Sequence, residues 1–188
     1  MIQAVPVSTN DLRRAVARFA EGVTIVAACS REGEPRGMTV SAFLFVSFEP
    51  PLILISLADG VPTLDVVLQR RAFGISILRV DQQHLSDRFA GEEEGRFEDV
   101  AYQARPSGAV TLGGAIAALE CTLQQQISLG DHTVLVGKVQ AAEFREGRPL
   151  LYYRGKYGSF HTLTESRTAR WPADEEEPGI GEHVAYWH

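Results

Sequence analysis

The strongest constraint on the fold is a stretch in which apolar and polar residues alternate. The apolar positions are Ala117, Leu119, Cys121, Leu123, Ile127 and Leu129, and polar residues lie between them. A period of two predicts a long strand with one buried face. Gly130-Asp131-His132 then interrupts the pattern, and the segment 133–144 returns as a second strand. The sequence therefore predicts an antiparallel hairpin.

A second stretch, RGMTVSAFLFVSFEPPLILISL at 36–57, carries strand-forming residues on both sides of a proline pair. Pro50 and Pro51 cannot lie inside a central strand, because each lacks the N–H that the hydrogen-bond ladder needs. We therefore expect two strands that meet at a corner. Thr39 and Ser41 place hydroxyl groups near the start of the first strand, where they could hold a phosphorylated cofactor against the sheet.

The other segments read as short strands and a few helices. Helices are expected over 8–22, with Gly22 as the C-terminal stop, from about Pro62, and over 81–91. The first helix has an apolar stripe made by Leu12, Ala15, Val16, Phe19 and Ala20. Strands are expected over 23–29 and 73–79, and the acidic segment 92–108 is expected to form a surface loop.

Six or so strands with short connections and few peripheral helices favour a mainly β fold, a closed or nearly closed β-barrel of Greek-key type. A doubly wound parallel sheet is disfavoured, because there is no G-x-G-x-x-G and strands do not alternate regularly with helices. The 188 residues suit one domain, which we place at 1–163. An acidic C-terminal tail or arm is expected at 164–188.

Composition narrows the possible partners. A formal net charge of -6 argues against nucleic acid, because a basic surface is needed to neutralise phosphates. No apolar run is long enough to span a membrane, and the N-terminus does not resemble a signal peptide. Cys29 and Cys121 are expected to be buried free thiols in a reducing cytoplasm rather than a disulfide. The histidines show no metal-ligand spacing, so no metal site is expected.

Six motifs follow one another from about residue 12 to residue 160: FAEGVTIVAA, GMTVSAFLFVSFEPPLILISL, FGISIL followed by LSDRFAG, RFEDVAY, LECTLQQQISLGDHTVLVGKV and PLLYYRGKYGSF. In this order and spacing the chain resembles the flavin reductase-like proteins with an FMN-binding split barrel, the reductase components of two-component flavin-dependent monooxygenases. The resemblance implies a homodimer that binds FMN or FAD between its subunits. It also implies reduction of the flavin by NADH or NADPH and its delivery to a partner monooxygenase.

The resemblance assigns flavin contacts to small or hydroxyl-bearing residues of the corner and of the following helix: Thr39, Val40, Ser41, Ala42, Ser56 and Thr63. Hydroxyls and main-chain amides bind phosphate when they converge, especially beside a helix N-terminus. Thr39 and Ser41 could otherwise be ordinary polar residues of a strand. The chain departs from the family at Asp59, Gly60 and Val61, where serines are common, and an acidic group there would repel a phosphate.

A second group of flavin contacts is implied in two later motifs: Arg88, Phe89, Tyr153, Arg154 and Tyr157. An arginine there could contact the flavin phosphate or the N1–C2=O edge, where negative charge develops on reduction. The alternatives are a solvated strand end for the Arg154 region and a core position at a helix end for Phe89.

The Gly130-Asp131-His132 turn is the candidate nicotinamide site. Glycine and aspartate both suit a tight turn, so their presence is explained by geometry, and Asp131 is expected to fix the turn. A turn does not require an imidazole, and in the family this histidine lies by the nicotinamide on the open face of the flavin. His132 is therefore the candidate catalytic residue, with an exposed bystander as the alternative.

Two other functions remain open for the same barrel. One is a non-catalytic flavin-binding protein, and the other is a related enzyme acting on a pyridoxine phosphate or a deazaflavin. The Gly130-Asp131-His132 turn favours the reductase, because a storage protein needs no nicotinamide position.

Overall fold

The computed structural model describes residues 7–91 and 95–161. Within them the helices are α1 Thr9–Val16, α2 Pro62–Arg70 and α3 Gln83–Ala90, the last preceded by a 3-10 turn at Val80–Gln82. The strands, in chain order, are β1 Glu21–Gly22, β2 Thr24–Cys29, β3 Pro35–Val40, β4 Phe43–Ser47, β5 Leu52–Ala58, β6 Ala72–Ile77, β7 Tyr102–Ala104, β8 Val110–Leu112, β9 Ala117–Leu129, β10 His132–Phe144, β11 Leu150–Tyr153 and β12 Lys156–Ser159.

Seven strands form the main sheet in the order β3-β2-β6-β9-β10-β5-β4. All neighbours in it are antiparallel. Its two edge strands, β3 and β4, follow each other in the chain and are joined by Ser41 and Ala42 alone. The sheet thus curls into a barrel whose wall is interrupted between β3 and β4. The predicted mainly β barrel with few peripheral helices is confirmed.

Strand β2 is buried along its whole length, which explains its uninterrupted apolar sequence. Val26 and Ala28 belong to the cluster that fills the barrel, where α2 packs through Leu64 and Val67. The alternate residues of β2 belong to a second cluster on the outer face of the sheet, which α3 and β8 cover. The two helices therefore cover opposite faces of the same strand.

The predicted hairpin is confirmed, since β9 and β10 pair along their lengths with two register shifts. The prediction of one buried face is wrong beyond Leu123: Ile127 and Leu129 are exposed, because a register shift after Leu123 places them on the opposite face of β9. Leu129 pairs with His132, so the turn consists of Gly130 and Asp131 alone. Gly130 has φ +67, which glycine adopts without the strain that a Cβ would cause. His132 is consequently the first residue of β10.

The helix predicted over 8–22 is shorter than expected. α1 begins after Ser8, whose side chain accepts a hydrogen bond from the Asp11 amide, but it ends at Val16. Gly22 does not stop a helix; it lies in β1 and pairs with Leu151. The apolar stripe is not buried against the chain's own core, and Phe19 is 73% exposed. Amphipathic spacing alone could not reveal that no surface within the described residues covers this stripe.

Two further predictions need correction. The stretch 36–57 forms three strands instead of two, because Ser41 and Ala42 interrupt its first half. The segment 92–108 is more than a loop, since it contains β7. Phe97 of this segment packs edge-on against Phe89, with ring centroids 4.9 Å apart. The predicted tail at 164–188 lies outside the described residues.

Candidate functional site

Three of the predicted site residues share the outer face of the barrel wall. In β5 the core residues alternate with Ser56 and Ala58, which therefore lie on the outer face. Ala58 pairs with His132 of β10, and the Ser56 amide donates to the Ala42 carbonyl at 3.2 Å. Because paired residues of antiparallel strands lie on the same face, Ala42, Ser56 and His132 lie on one surface.

The connection between β3 and β4, formed by Ser41 and Ala42 and called the corner from here on, offers unused hydrogen-bonding groups. It is a different place from the corner that was predicted at Pro50 and Pro51. The main-chain N–H groups of Ser41 and Ala42 donate no hydrogen bond within the described residues. The hydroxyls of Ser41 and Ser56 likewise have no partner there. Adjacent free amides with nearby hydroxyls are donors suited to a phosphate or to the polar edge of a flavin ring. This part of the chain therefore fits the flavin that the resemblance implies.

Thr39 and Val40, which precede the corner, point in opposite directions. Val40 is 5% exposed and packs in the barrel core, so any contact it makes with a cofactor would come from its main chain. The Thr39 hydroxyl donates to the Ser86 carbonyl of α3 at 2.7 Å. Its proton is thereby committed to the protein, and only its lone pairs remain for a ligand.

Helix α2 begins as predicted, with Pro62 in its first turn. Its N-cap is Val61, which provides no side-chain cap, so the first N–H groups of the helix lack that partner. Thr63 is 1% exposed, and its hydroxyl makes no hydrogen bond within the described residues. The first turn of α2 thus retains polar groups of the kind that anions bind.

Tyr157 is joined to Thr39 through α3. Its hydroxyl lies 2.9 Å from the Ser86 hydroxyl and donates to the Asp87 carboxylate at 2.9 Å. Burial is the main cause that raises the pKa of the Tyr157 phenol, and Asp87 adds to the effect. Because Ser86 also accepts from Thr39, this tyrosine supports the residues before the corner. Sequence reasoning missed Ser86 and Asp87, although both lie within the quoted LSDRFAG motif.

Arg88 and Phe89 are engaged elsewhere. An Arg88 guanidinium nitrogen donates to the Glu98 carbonyl at 2.7 Å. Phe89 is fully buried in the second cluster, which is the alternative interpretation given to it above. Its ring does not line a surface that a cofactor could reach.

Tyr153 and Arg154 lie at the exposed end of the β11–β12 hairpin. Arg154 occupies the turn with φ +50, and its amide donates to the Ala17 carbonyl at 3.2 Å. In the part of the chain described, no hydrogen bond connects either side chain to the corner or to His132. The structure does not bring these two residues together with the other predicted contacts.

The Gly130-Asp131-His132 turn presents its imidazole to solvent in a defined orientation. The His132 Nδ1 atom lies 2.7 Å from the Asp131 carboxylate, and the His132 side chain is 47% exposed. The hydrogen bond from His132 is the main cause that lowers the pKa of the Asp131 carboxyl. The carboxylate is therefore ionised at neutral pH and holds Nδ1, while Nε2 has no partner among the described residues.

Asp59, the position where the chain departs from the family, contacts the same turn. Its amide donates to the Asp131 carbonyl at 3.0 Å. Its carboxylate accepts from the Thr133 hydroxyl at 2.7 Å. The Asp59 carboxylate thus bonds to β10. It is therefore not directed at a bound phosphate, the arrangement in which an acidic residue would be unfavourable. Sequence reasoning missed Thr133, whose only signal was its place beside His132.

Neither a metal-ligating group of side chains nor a membrane-crossing helix is found in residues 7–91 and 95–161. No group of three or more His, Cys, Asp or Glu residues there could hold a metal ion. None of the helices in these ranges is long and apolar enough to cross a membrane. Cys29 and Cys121 are free and buried.

Comparison with known proteins finds relatives that match most of the chain. The family model described as flavin reductase like domain matches residues 16–161. The chain is 39% identical over 161 residues to an NADH-dependent flavin reductase of Rhodococcus sp, covering 84% of this chain and 89% of that protein. It is 40% identical over 146 residues to the reductase component of 4-hydroxyphenylacetate 3-monooxygenase from Thermus thermophilus, covering 77% and 92%.

A solved structure shares the fold. The Streptomyces globisporus C-1027 NADH:FAD oxidoreductase SgcE6, in complex with NAD and FAD fragments, superposes with a TM-score of 0.78 at 31% identity, covering 86% of this chain and 100% of that one.

Proposed function

The chain belongs to the flavin reductase like domain family, and on this premise we propose that it is an NAD(P)H:flavin oxidoreductase. It reduces FMN or FAD with NADH or NADPH and supplies the reduced flavin to a partner monooxygenase. Relatives are named as an NADH-dependent flavin reductase and as an FMN reductase (NADH), which supports the reaction and both types of substrate.

One observation carries the proposal: unused donors and the oriented histidine lie on one face of the barrel. The Ser56 hydroxyl is on β5, the strand next to His132, and the free amides at Ser41 and Ala42 lie just before β4, the strand beyond β5. Hydride transfer depends mainly on holding the two ring systems together in the correct orientation. A surface with flavin-binding donors and a separate nicotinamide-side group meets that requirement without a side-chain nucleophile.

The flavin, when bound, accepts the hydride and carries the electrons onward. The chain's own contribution is to bind and orient. Ser41, Ala42 and Ser56 are neutral donors, so they hold an anionic cofactor without ion pairs. Such binding is readily reversible, which suits a flavin that must leave for another enzyme.

We assign His132 to the nicotinamide. Its Nδ1 is held by Asp131, so Nε2 is the atom left to hydrogen-bond the carboxamide. An imidazole at this position can also donate or accept a proton at Nε2. These roles fit a positioned group at the edge of the flavin face.

We further propose a homodimer that covers this face. Three apolar side chains on the face are exposed in the single chain, namely Leu44 at 61%, Ile127 at 38% and Leu129 at 58%. Leu129 is paired directly with His132. Exposed apolar patches of this kind mark interaction surfaces, and a second copy seated here would leave the flavin between subunits.

The cytoplasm is the compartment we propose, because both thiols are free and reducing conditions maintain free thiols. The partner oxygenase is inferred from relatives named as reductase components of monooxygenases.

The test is to mix the purified protein with NADH or NADPH and with FMN or FAD, and to follow the nicotinamide absorbance. Oxidation that depends on both protein and flavin is expected. Flavin binding without oxidation of either nucleotide would leave the non-catalytic flavin-binding protein. Oxidation that proceeds equally without added flavin, in protein freed of flavin, would also contradict the proposal.

A further inference from the structure

Asp59 holds the chain on both sides of His132. Its amide donates to the carbonyl of Asp131, the residue before the histidine, at 3.0 Å. Its carboxylate accepts from the hydroxyl of Thr133, the residue after it, at 2.7 Å. One residue of the β5–α2 connection therefore fixes both neighbours of the imidazole.

We propose that Asp59 is a positioning residue for the nicotinamide side of the site, and that it acts through Thr133 on the backbone at His132. This rests on the proposed function and assigns Asp59 no contact with flavin or nicotinamide. The family position that was unfavourable for a phosphate contact thereby has a different role in this chain.

Burial of Thr133 fixes the geometry of its hydrogen bond to the Asp59 carboxylate. Thr133 is only 6% exposed, and its side chain faces the core while His132 faces outward. A buried hydroxyl needs a partner, and its rotamer is fixed by the surrounding packing. The hydrogen bond from Thr133 to Asp59 consequently holds the connection between β5 and α2 in a fixed position against β10.

The orientation of the His132 imidazole depends on these contacts. Strand pairing of His132 with Ala58 is the last rung before the turn, so the β ladder gives no support beyond it. Beyond that pair, the amide and the carboxylate of Asp59 hold the chain in place. Asp131, held through its carbonyl, then orients the imidazole through its own carboxylate at 2.7 Å. A connected series of contacts runs from Asp59 to the ring.

Displacement of a positioned group by about 1 Å can lower a rate by about a hundredfold. The amide bond from Asp59 remains when only its side chain is removed, so a smaller loss is expected. For Asp59→Ala we expect kcat/KM for NADH to fall about tenfold, with flavin affinity changed less than about twofold.

The variants form a double-mutant cycle with conservative rescues. Asp59→Ala and Thr133→Val each remove one partner, and the double variant removes both. Because both act through one bond, the double variant should resemble the single ones instead of adding their effects. Asp59→Asn and Thr133→Ser keep an acceptor and a donor, and each should recover most of the lost kcat/KM. Thr122→Val is the matched control, since its hydroxyl accepts from Gln140 at 2.9 Å, elsewhere on the same hairpin.

A second measurement does not depend on activity. Hydrogen–deuterium exchange over 130–133 should be faster in Asp59→Ala and in Thr133→Val than in the wild type, with exchange over 24–29 unchanged. An inactive wild type would defeat the proposed function, whereas exchange at the turn would still decide the positioning role. Unchanged exchange at the turn, additive effects in the double variant, or equal losses in NADH use and flavin affinity would overturn the inference.

Discussion

Replacing Gly74 by alanine tests how closely β8 packs onto β6 of the barrel wall. A Cβ at this position would lie 2.0 Å from the carbonyl oxygen of Val110 and 2.5 Å from its carbonyl carbon. Both are main-chain atoms, so no side chain can rotate away. To reach an ordinary contact of 3.4 Å, the two strands must separate by about 1.4 Å at this point.

Two costs follow from that separation. Overpacking in a well-packed region costs about 1–3 kcal/mol. The Leu112 amide also donates to the fully buried Ser76 hydroxyl at 2.8 Å, and breaking this bond would leave buried polar groups unpaired at a cost of about 1–3 kcal/mol. We expect Gly74→Ala to lose about 3 kcal/mol or more. At about 2–4 °C per kcal/mol for a chain of this size, Tm should fall by about 6–12 °C.

Thermal and urea unfolding followed by circular dichroism measure the effect in protein freed of flavin. Gly22→Ala is the matched control, because a Cβ at that strand glycine meets nothing within 4 Å, and its stability should stay within about 0.5 kcal/mol of the wild type. If Gly74→Ala were as stable as Gly22→Ala, the close approach of β6 and β8 would be refuted.

Three other predictions concern the site and the core. His132→Ala should lower kcat/KM for NADH about tenfold while leaving the flavin dissociation constant within about twofold; equal loss of both would contradict its assignment in steady-state assays and flavin titrations. The raised pKa of Tyr157 favours its neutral form in the folded state, so the stability that it contributes is present below its unfolded pKa of about 10 and is lost as pH rises through the folded value. Urea unfolding of Tyr157→Phe between about pH 9 and 11 should show a shallower loss than the wild type, and parallel curves would refute this. Burial raises the pKa of Cys121 to about 12, so a thiol reagent should modify this residue only at the rate of unfolding, and rapid labelling of the native protein would show that its burial is incorrect.

The sequence predicted well those features that depend on local periodicity. The alternation over 117–123 sets one face of β9 toward the core, and Gly130 fixes where the chain reverses, so the hairpin could be placed by residue number. Ile127 and Leu129 continue the sequence pattern but are exposed, because a register shift in the pairing with β10 moves them to the other face. The start of α2 was equally accessible, since Pro62 is favourable only in a first helical turn. In each of these cases one short segment contains the whole signal.

Features that depend on distant partners were not accessible. Phe19 belongs to a correct apolar pattern yet is exposed, because the pattern does not state what covers it. Phe89 was an implied flavin contact, but Phe97 from the acidic segment packs against it, and no local pattern indicates this partner. The position of Asp59 opposite Thr133 requires the pairing of β5 with β10, and no local pattern specifies that register.

The interruption of the wall between β3 and β4 coincides with the residues that have spare donors. In the inner strands of the main sheet, a ligand would have to compete with strand pairing for main-chain amides. At Ser41 and Ala42 a ligand could bind the main-chain amides without breaking a strand hydrogen bond, and its release would leave the strand pairing unchanged. If flavin binds there as we propose, it would enter and leave without any change in the strand pairing of the barrel.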